Sequence, residues 1–600
     1  MNATTFLRVE RRSTEPRGPL DLVRSRVTMS VVSAILGGAA RASAFVLAAL
    51  YLHQALRTTA PVPPGRASFS RFAVRTSRRP PILRSVVLAL SGLFVLAPAA
   101  MASDRGSAEE VAAWRNARTS VDVVAVDRFL GEQIDAASIP GAAVAITHGD
   151  QIIHVAGFGQ DSTSAPVTAD TLFRVASLSK SFTALAVKQL VDEHRLDLDD
   201  PVVDHLPEFR IADPRGADIT VRQLLEHTSG LADSTVHPLA RQQPGSLAEA
   251  VSSLSSAGLK APPGTQENYH NPNYQVAARL VEVVSGKPFA TYMRERVFGP
   301  AGMSSTVTVD MDNQPVPGLV DGHVVGWGHA FAVSGPSTFD GGAGGVVSSA
   351  ADMARWLVVQ TNHGRAVDGT RVISDRSLTE QHTAGATGTG YALGWDTDGP
   401  VGSPTRLEHT GNLLTYSAYM EVLPDSRYGV VILLNAGSGL LLDQTGIFYG
   451  VRSIVEGTDL TPPGPAGATF NMSKLDTILG LLTVVVVLLG ASGVLRAGQW
   501  AHRRREQPWT YTAISTAPHL AALGAALVFP RLAERLVGGR EVTWEEAAYG
   551  WPALSVCVWA VLAALLVTLA ARASHLVRRT APALSENNVV ITDHLQGARS

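Results

Sequence analysis

Leu475–Leu495 is an apolar run of about the length a bilayer needs, and it limits the chain more than any other stretch. Arg496 and Arg503-Arg504-Arg505 follow it at once. Trp551–Ala571 is a second such run, followed by Arg572, Arg578 and Arg579, and Tyr511–Pro530 between them is a weaker one, interrupted by His519. If all three cross a bilayer, the positive-inside rule puts the arginine clusters in the cytoplasm. Three crossings then place everything between residues 105 and 470 on the outer side. The alternative is a single anchor, with the other runs buried against protein.

The N-terminal part gives the same orientation independently. Residues 1–84 hold fourteen arginines, no lysine and three acids, with proline, serine and glycine scattered through them. Arg78, Arg79 and Arg84 precede the apolar run Ser85–Ala100, which ends in Ala100-Met101-Ala102 and polar Ser103-Asp104. A charged region, a short apolar core and a small-residue cleavage pattern read as an export signal. Its place near residue 80 allows two readings. Either the true start lies downstream of Met1, or Val31–Leu50 is an extra membrane segment.

Composition narrows the function classes. Net charge is -2, which gives no support for nucleic-acid binding. Cys557 is the only cysteine, so no intrachain disulfide and no cysteine-based zinc cluster can form. No H-E-x-x-H or G-x-S-x-G occurs, so neither a zinc peptidase nor an α/β-hydrolase elbow is indicated. No metal or cofactor is expected.

The pattern between residues 105 and 460 is that of one globular domain. Val126–Ala137 has helical spacing at Phe129, Leu130 and Ile134. Ala142–Ile146 and Ile152–Phe158 flank His148-Gly149-Asp150 and predict a hairpin; Ala418–Leu423 and Val430–Leu434 flank Pro424-Asp425 and predict another. Leu440–Val455 reads as a helix. Strands at both ends with helical stretches between them predict an α+β domain whose sheet is closed by distant segments. The chain thus divides into a basic leader (1–104), this domain (105–460), a Pro/Gly/Ala linker (461–474), a three-helix membrane region (475–579) and a cytoplasmic tail (580–600).

Within the domain, SLSK at Ser177–Lys180 stands out. Arginine supplies most of the 50 basic residues, and only five are lysine. Unlike an arginine, a lysine can give up its proton in the right surroundings. Residues i and i+3 share a helix face, so Ser177 at a helix start would face one cavity with Lys180. The serine hydroxyl needs a base to become a nucleophile, and burial would lower the lysine pKa toward that role. The chain contains no other serine with a lysine three residues on. Taken alone, the spacing also suits an ordinary surface lysine.

Two further segments change the weight of this motif. Tyr269-His270-Asn271 follows Pro263-Gly264-Thr265, and His409-Thr410-Gly411 opens the last hairpin. With Ser177–Lys180 these resemble the S-x-x-K, Y-x-N and [KH]-T-G motifs, in order, of the serine β-lactamase and penicillin-binding protein superfamily. The branch that it most resembles holds class C β-lactamases, D-alanyl-D-alanine carboxypeptidases and esterases. ITVRQLLEHTSGL (219–231), FGPAGM (298–303), GGVVSSAADMARW (344–356) and YALGW (391–395) have the family's look as well, so the resemblance spans roughly Val123 to Val455.

The resemblance implies an antiparallel sheet flanked by helices, with a helical subdomain carrying Tyr269 and Asn271. It implies that Ser177 is acylated, that Lys180 is base or proton relay, and that Tyr269 is a second relay that activates the deacylating water. Asn271 would orient the lysine and the substrate amide. His409 and Thr410 would line the cleft edge, with His409 donating toward a substrate carboxylate or the tyrosine oxygen. Gly411 would allow close backbone approach, and the N–H groups of Ser177 and Asn412 would form the oxyanion hole. The expected substrate is a small molecule or peptide carrying an amide or ester: a β-lactam, a D-amino-acid peptide such as peptidoglycan supplies, or a small ester. The rival reading is a penicillin- or cell-wall-fragment-binding sensor with little turnover. His270 in place of the frequent serine, and no glycine soon after Gly411, bear on substrate preference. His227 reads as a structural histidine in a helix-ending turn, and His148 and His154 as surface or packing residues.

Overall fold

The computed structural model describes residues 121–236, 242–385, 390–400, 402–437, 444–458, 472–536 and 542–580, all within one compact unit spanning 86–600. The leader readings at residues 1–104, most of the linker and nearly all of the tail lie outside the described residues.

The domain opens with α1, Val123–Ala136. The Asp122 side chain accepts the Ala125 N–H and so starts the helix at a capped position. Val126, Leu130 and Ile134, four residues apart, are its buried stripe. Strands β1 (Gly141–His148) and β2 (Gln151–Gly159) form the first expected hairpin, turning through Gly149 at φ +59. After β3 (Leu172–Arg174) the chain makes a 3₁₀ turn, Ala176–Leu178, and enters α2 (Ser179–Asp192). Helix α3 spans Asn271–Ser285 and ends on Gly286 at φ +72. Four short strands follow: β4 (Val307–Thr308), the hairpin pair β5 (Gly322–Gly326) and β6 (His329–Val333), and β7 (Val346–Ser349), which leads into α4 (Ala350–Thr361). Strands β8 (Asp396–Asp398), β9 (Arg406–Asn412), β10 (Ser417–Leu423) and β11 (Tyr428–Leu434) precede α5 (Thr445–Glu456).

The main sheet has the order β2-β1-β11-β10-β9-β8, antiparallel throughout. Strand β1 pairs with β11 from Ala142↔Leu434 to His148↔Tyr428, so the two ends of the domain close the sheet as expected. Both faces of β1 are covered. Ala142, Val144 and Ile146 pack with α1 and with Ile447, Phe448 and Val451 of α5. Ala143 and Ala145 face the larger core that holds α2, α3 and α4. Alternation alone does not reveal such a strand, because its sequence is apolar on both faces. Helix α2 lies deepest of all, with every residue from Ser179 to Leu190 buried.

The C-terminal segment is helical: α6 (Met472–Leu495), α7 (Ala497–Arg504), α8 (Trp509–Leu527) and α9 (Pro552–Thr580). Two stretches, Ser473–Leu495 and Pro552–Val577, are long and apolar enough to cross a membrane, by length and composition. The weaker sequence candidate forms α8, which carries Pro518 inside it and is not one of the two. Small residues let α6 and α9 approach closely. A Cβ on Gly490 would lie 2.7 Å from Ala564 Cβ, and one on Gly493 would lie 2.6 Å from Thr568 Oγ1.

Candidate active site

Ser177 sits in the 3₁₀ turn just ahead of α2, and the residue before it, Ala176, is held at φ +52. That left-handed conformation is costly for a residue with a Cβ and is kept only where the surroundings impose it. The surroundings are visible. Ser179 Oγ donates to Ala176 O and accepts the Val346 N–H, and Val175 N–H donates to Val346 O. Strand β7 and the first residue of α2 thus lock the turn from both sides.

Lys180 lies one turn on and is completely buried. Its Nζ donates to Ser177 Oγ at 3.0 Å and to the Ala343 carbonyl at 2.9 Å. The glycines around Ala343 explain the second contact. Gly342 has φ +77, and a Cβ there would lie 2.3 Å from Ala278 Cβ; a Cβ on Gly345 would lie 1.9 Å from Val309 O. Only a side-chain-free turn brings this carbonyl to the lysine. Gly394, in YALGW, packs in the same way on the Lys180 backbone, with its would-be Cβ 2.8 Å from Lys180 O.

Tyr269 comes from the loop before α3 and donates its phenol to Ser177 Oγ at 2.9 Å. Lys180 Nζ is 4.8 Å from the centroid of the same ring. Serine oxygen, ammonium nitrogen and phenol therefore converge at one point, drawn from three segments of sequence. Asn271 begins α3 half-buried, and its Oδ1 is buried without a hydrogen-bond partner among the described residues.

Strand β9 forms the other wall. Its alternation turns Leu407, His409 and Gly411 inward and leaves Thr410 and Asn412 exposed. A Cβ on Gly411 would stand 2.5 Å from Val175 O, 3.0 Å from Leu178 Cδ1 and 3.1 Å from Ala176 Cβ. The Ser177 turn thus rests directly on β9 backbone.

His409 is held inside the protein. Its ring is 2% exposed, Nδ1 lies 2.7 Å from Thr410 O and Nε2 lies 3.0 Å from the Tyr391 hydroxyl. A carbonyl only accepts, so Nδ1 carries the proton. Burial, aided by the Lys180 charge, pushes the imidazole pKa down to about 3, so the ring is neutral and Nε2 accepts from Tyr391. Both nitrogens are engaged inside the protein, and Thr410, next along β9, is exposed.

Tyr391 and His227 belong to the site although neither was among the expected functional residues. Tyr391 is fully buried, and its ring meets Tyr269 edge-on at 6.2 Å. His227 is fully buried too, with its ring 4.4 Å from that of Tyr269. It follows a short helix, Val221–Leu225, at φ +57, which agrees with its reading as a turn residue. Its Nδ1 accepts from the His270 backbone N–H and from Asn273 Nδ2. Burial, then the Lys180 charge, holds its pKa well below the usual histidine range, so it backs Tyr269 as a neutral ring. His270 points away, with Nδ1 on Asp233 Oδ1 at 2.7 Å. Of the peripheral histidines, His154 pairs with Asp127 and the His148 ring lies tilted against Tyr428.

The chain is similar to several known proteins. A family model described as Beta-lactamase matches residues 126–447. Penicillin-binding protein 4 of Amycolatopsis lactamdurans is 32% identical over 348 residues, covering 52% of this chain and 87% of that protein. Protein flp of Staphylococcus aureus (strain N315) is 25% identical over 318 residues, covering 52% of this chain and 63% of its relative. Among solved structures, the octameric penicillin-binding protein homologue from Pyrococcus abyssi aligns with a TM-score of 0.47 and 22% identity, over 57% of this chain and 79% of that one.

Proposed function

The chain belongs to the β-lactamase family and is a serine hydrolase, and from this premise we propose that Ser177 carries the acyl group of an amide or ester substrate in an extracytoplasmic, membrane-anchored enzyme. The observation that supports it most is the convergence of Lys180 Nζ and Tyr269 Oη on Ser177 Oγ, at 3.0 and 2.9 Å. As Ser177 Oγ bonds to the substrate carbonyl carbon, its proton passes to Lys180 as a neutral amine or to Tyr269 as a phenolate, the forms that can accept it. Either contact is short enough to carry it. The backbone N–H groups of Ser177 and Asn412 take the oxyanion, a form of stabilisation that is often the largest single catalytic term. The same relay returns the proton to the leaving group. Water, activated by Tyr269, then cleaves the Ser177 ester. Asn271 and Thr410 contact the substrate, and Gly411 keeps the strand close enough to do so.

The substrate class is a β-lactam, a D-amino-acid peptide such as peptidoglycan supplies, or a small ester. Residues 105–460 form this hydrolase domain, residues 461–474 the linker and residues 475–579 the membrane region. Two helices of membrane-crossing length and composition support the anchor, and the arginines that follow them support a cytoplasmic end.

The test is labelling of the purified protein with a fluorescent penicillin and a fluorophosphonate, beside turnover of p-nitrophenyl esters. Wild type is expected to label and turn over, and Ser177→Ala to do neither. Labelling or turnover that survives in Ser177→Ala refutes the assignment. Stable labelling without turnover would favour a sensor.

A further inference from the structure

We propose that the arginine-rich end of the C-terminal helices binds the phosphate of an anionic lipid headgroup, held between α7 and α9. The proposal rests on the membrane reading above.

Helix α7 leans on α9 through buried Ala497 and Ala501. On the same side two guanidinium groups meet one indole: Arg572 Cζ is 5.0 Å and Arg504 Cζ 5.9 Å from the Trp500 ring. Cation–π contact holds both groups in place but supplies no hydrogen-bond acceptor. Nε and Nη1 of Arg572 and Nε of Arg504 are buried without a partner among the described residues. Arg504 Nη1 donates to Gln507 Oε1 at 2.9 Å, and that partner is neutral.

The helices themselves offer these arginines almost no carboxylate. Residues 496–530 and 551–580 together contain seven arginines and a single acid, Glu506. The positive-inside rule asks only for positive charge near the ends of the spans, which exposed Arg503 and Arg505 already provide. It gives no reason for Arg504 and Arg572 to lie against Trp500 with three of their nitrogens buried. Buried charge needs a counter-charge and acceptors, and the guanidinium fork matches phosphate geometry. The position indicates where the anion comes from. Arg496 directly follows the last residue of α6, so this cluster lies at the end of a span, where lipid headgroups sit.

The experiment uses the full chain in detergent, stripped of lipid, with thermal unfolding followed as phosphatidylglycerol, phosphatidylcholine or inorganic phosphate is added. Phosphatidylglycerol is expected to raise the unfolding temperature by several degrees, with no shift from phosphatidylcholine or inorganic phosphate. The shift should disappear in the double variant Arg504→Gln/Arg572→Gln and persist in Arg531→Gln, an exposed arginine beyond the other end of α8. Native mass spectrometry should show phosphatidylglycerol retained by wild type and lost by the double variant, which keeps the test readable if that variant is less stable. A shift of the same size in the double variant overturns the proposal, as does equal stabilisation by phosphatidylcholine. An equal shift with inorganic phosphate overturns the lipid assignment in favour of a free anion. Alkaline carbonate extraction of cell membranes reads the premise separately. Release of the protein into the soluble fraction defeats the membrane reading itself, whereas retention without lipid selectivity defeats only the headgroup site.

Discussion

Gly411→Ala tests whether the backbone contact between β9 and the nucleophile turn is what aligns Ser177. The added Cβ would lie 2.5 Å from Val175 O and 3.1 Å from Ala176 Cβ. Ordinary contact begins near 3.4 Å, so β9 and the turn must separate by roughly 0.5–1 Å. The turn cannot absorb this locally, because Ala176 is already held at φ +52 and is tied to β7 through Ser179 and Val175. Overpacking of this size costs about 1–3 kcal/mol of stability. A misplacement approaching 1 Å at a reacting atom costs on the order of 100-fold in rate. The expected result is a fall in acylation rate of about 30- to 100-fold, with a melting temperature lowered by only a few degrees. Acylation by a fluorescent penicillin or a p-nitrophenyl ester, followed by stopped flow, gives the first number and calorimetry the second. Activity within about threefold of wild type would show that β9 does not set the position of Ser177, and the reasoning would fail.

Tyr391→Phe removes the donor to His409 Nε2 and leaves a buried acceptor unpaired. It should destabilise the protein by about 1–3 kcal/mol in urea titration, and an unchanged midpoint would contradict the assigned tautomer. A second consequence concerns pH. The folded pKa of His409, about 3, lies below its unfolded value of 6.5, so the unfolded chain binds the extra proton as pH falls through that window. Wild type therefore loses roughly 1.4 kcal/mol per pH unit below 6.5 relative to His409→Gln. The comparison must be a difference between the two proteins. Burial raises Glu226 to about 7 and Glu421 to about 8, and these groups pull stability in the opposite direction over an overlapping range. A stability gap independent of pH from 7 to 5 would show that the ring titrates in the folded state. Asp476→Asn turns one amide N–H toward a donor, since the carboxylate accepts both Trp327 N–H and Trp551 Nε1. Hydrogen exchange at the Trp327 amide should speed up at least tenfold, and unchanged protection would sink the contact.

The three motifs were legible because each carries its chemistry in local spacing. Ser177 and Lys180 need only one helical turn to meet, and the structure gives that turn as 3₁₀ leading into α2. The closure of the sheet by β1 and β11 was legible from two hairpin patterns far apart in sequence. Tyr391 and His227 were not legible as neighbours of Tyr269. They lie 122 and 42 residues away, and their rings meet only through the packing of α3 and the β8 edge. The burial of His409 was not legible because the motif names a residue type and not a strand face. The alternation of β9 buries the ring, and burial keeps it neutral.

The hairpin β5–β6 was invisible for a different reason, and it ties the two regions of the chain together. Its segment, GHVVGWGHAFAV, is rich in glycine and has neither clean alternation nor a helical stripe. Its base is pinned to the loops that follow β9 and β11: His323 N–H is shared between Thr415 O and Asn435 O, and Tyr416 hydroxyl donates to Val320 O. A Cβ on Gly322 would lie 2.1 Å from Thr415 O, so this end cannot slide. The tip meets the helices through Asp476, which bridges Trp327 and Trp551, while a Cβ on Gly326 would touch Pro552 at 3.5 Å. Asp476 is 4% exposed, and a carboxylate so buried is stable only with such donors. Five residues of β5 therefore separate the first turns of α6 and α9 from the turn that follows Asn412 on the cleft wall. The C-terminal helices and the wall of the site therefore meet through this hairpin, and the Tyr549 hydroxyl adds a further contact by donating to Ser334 O beyond β6.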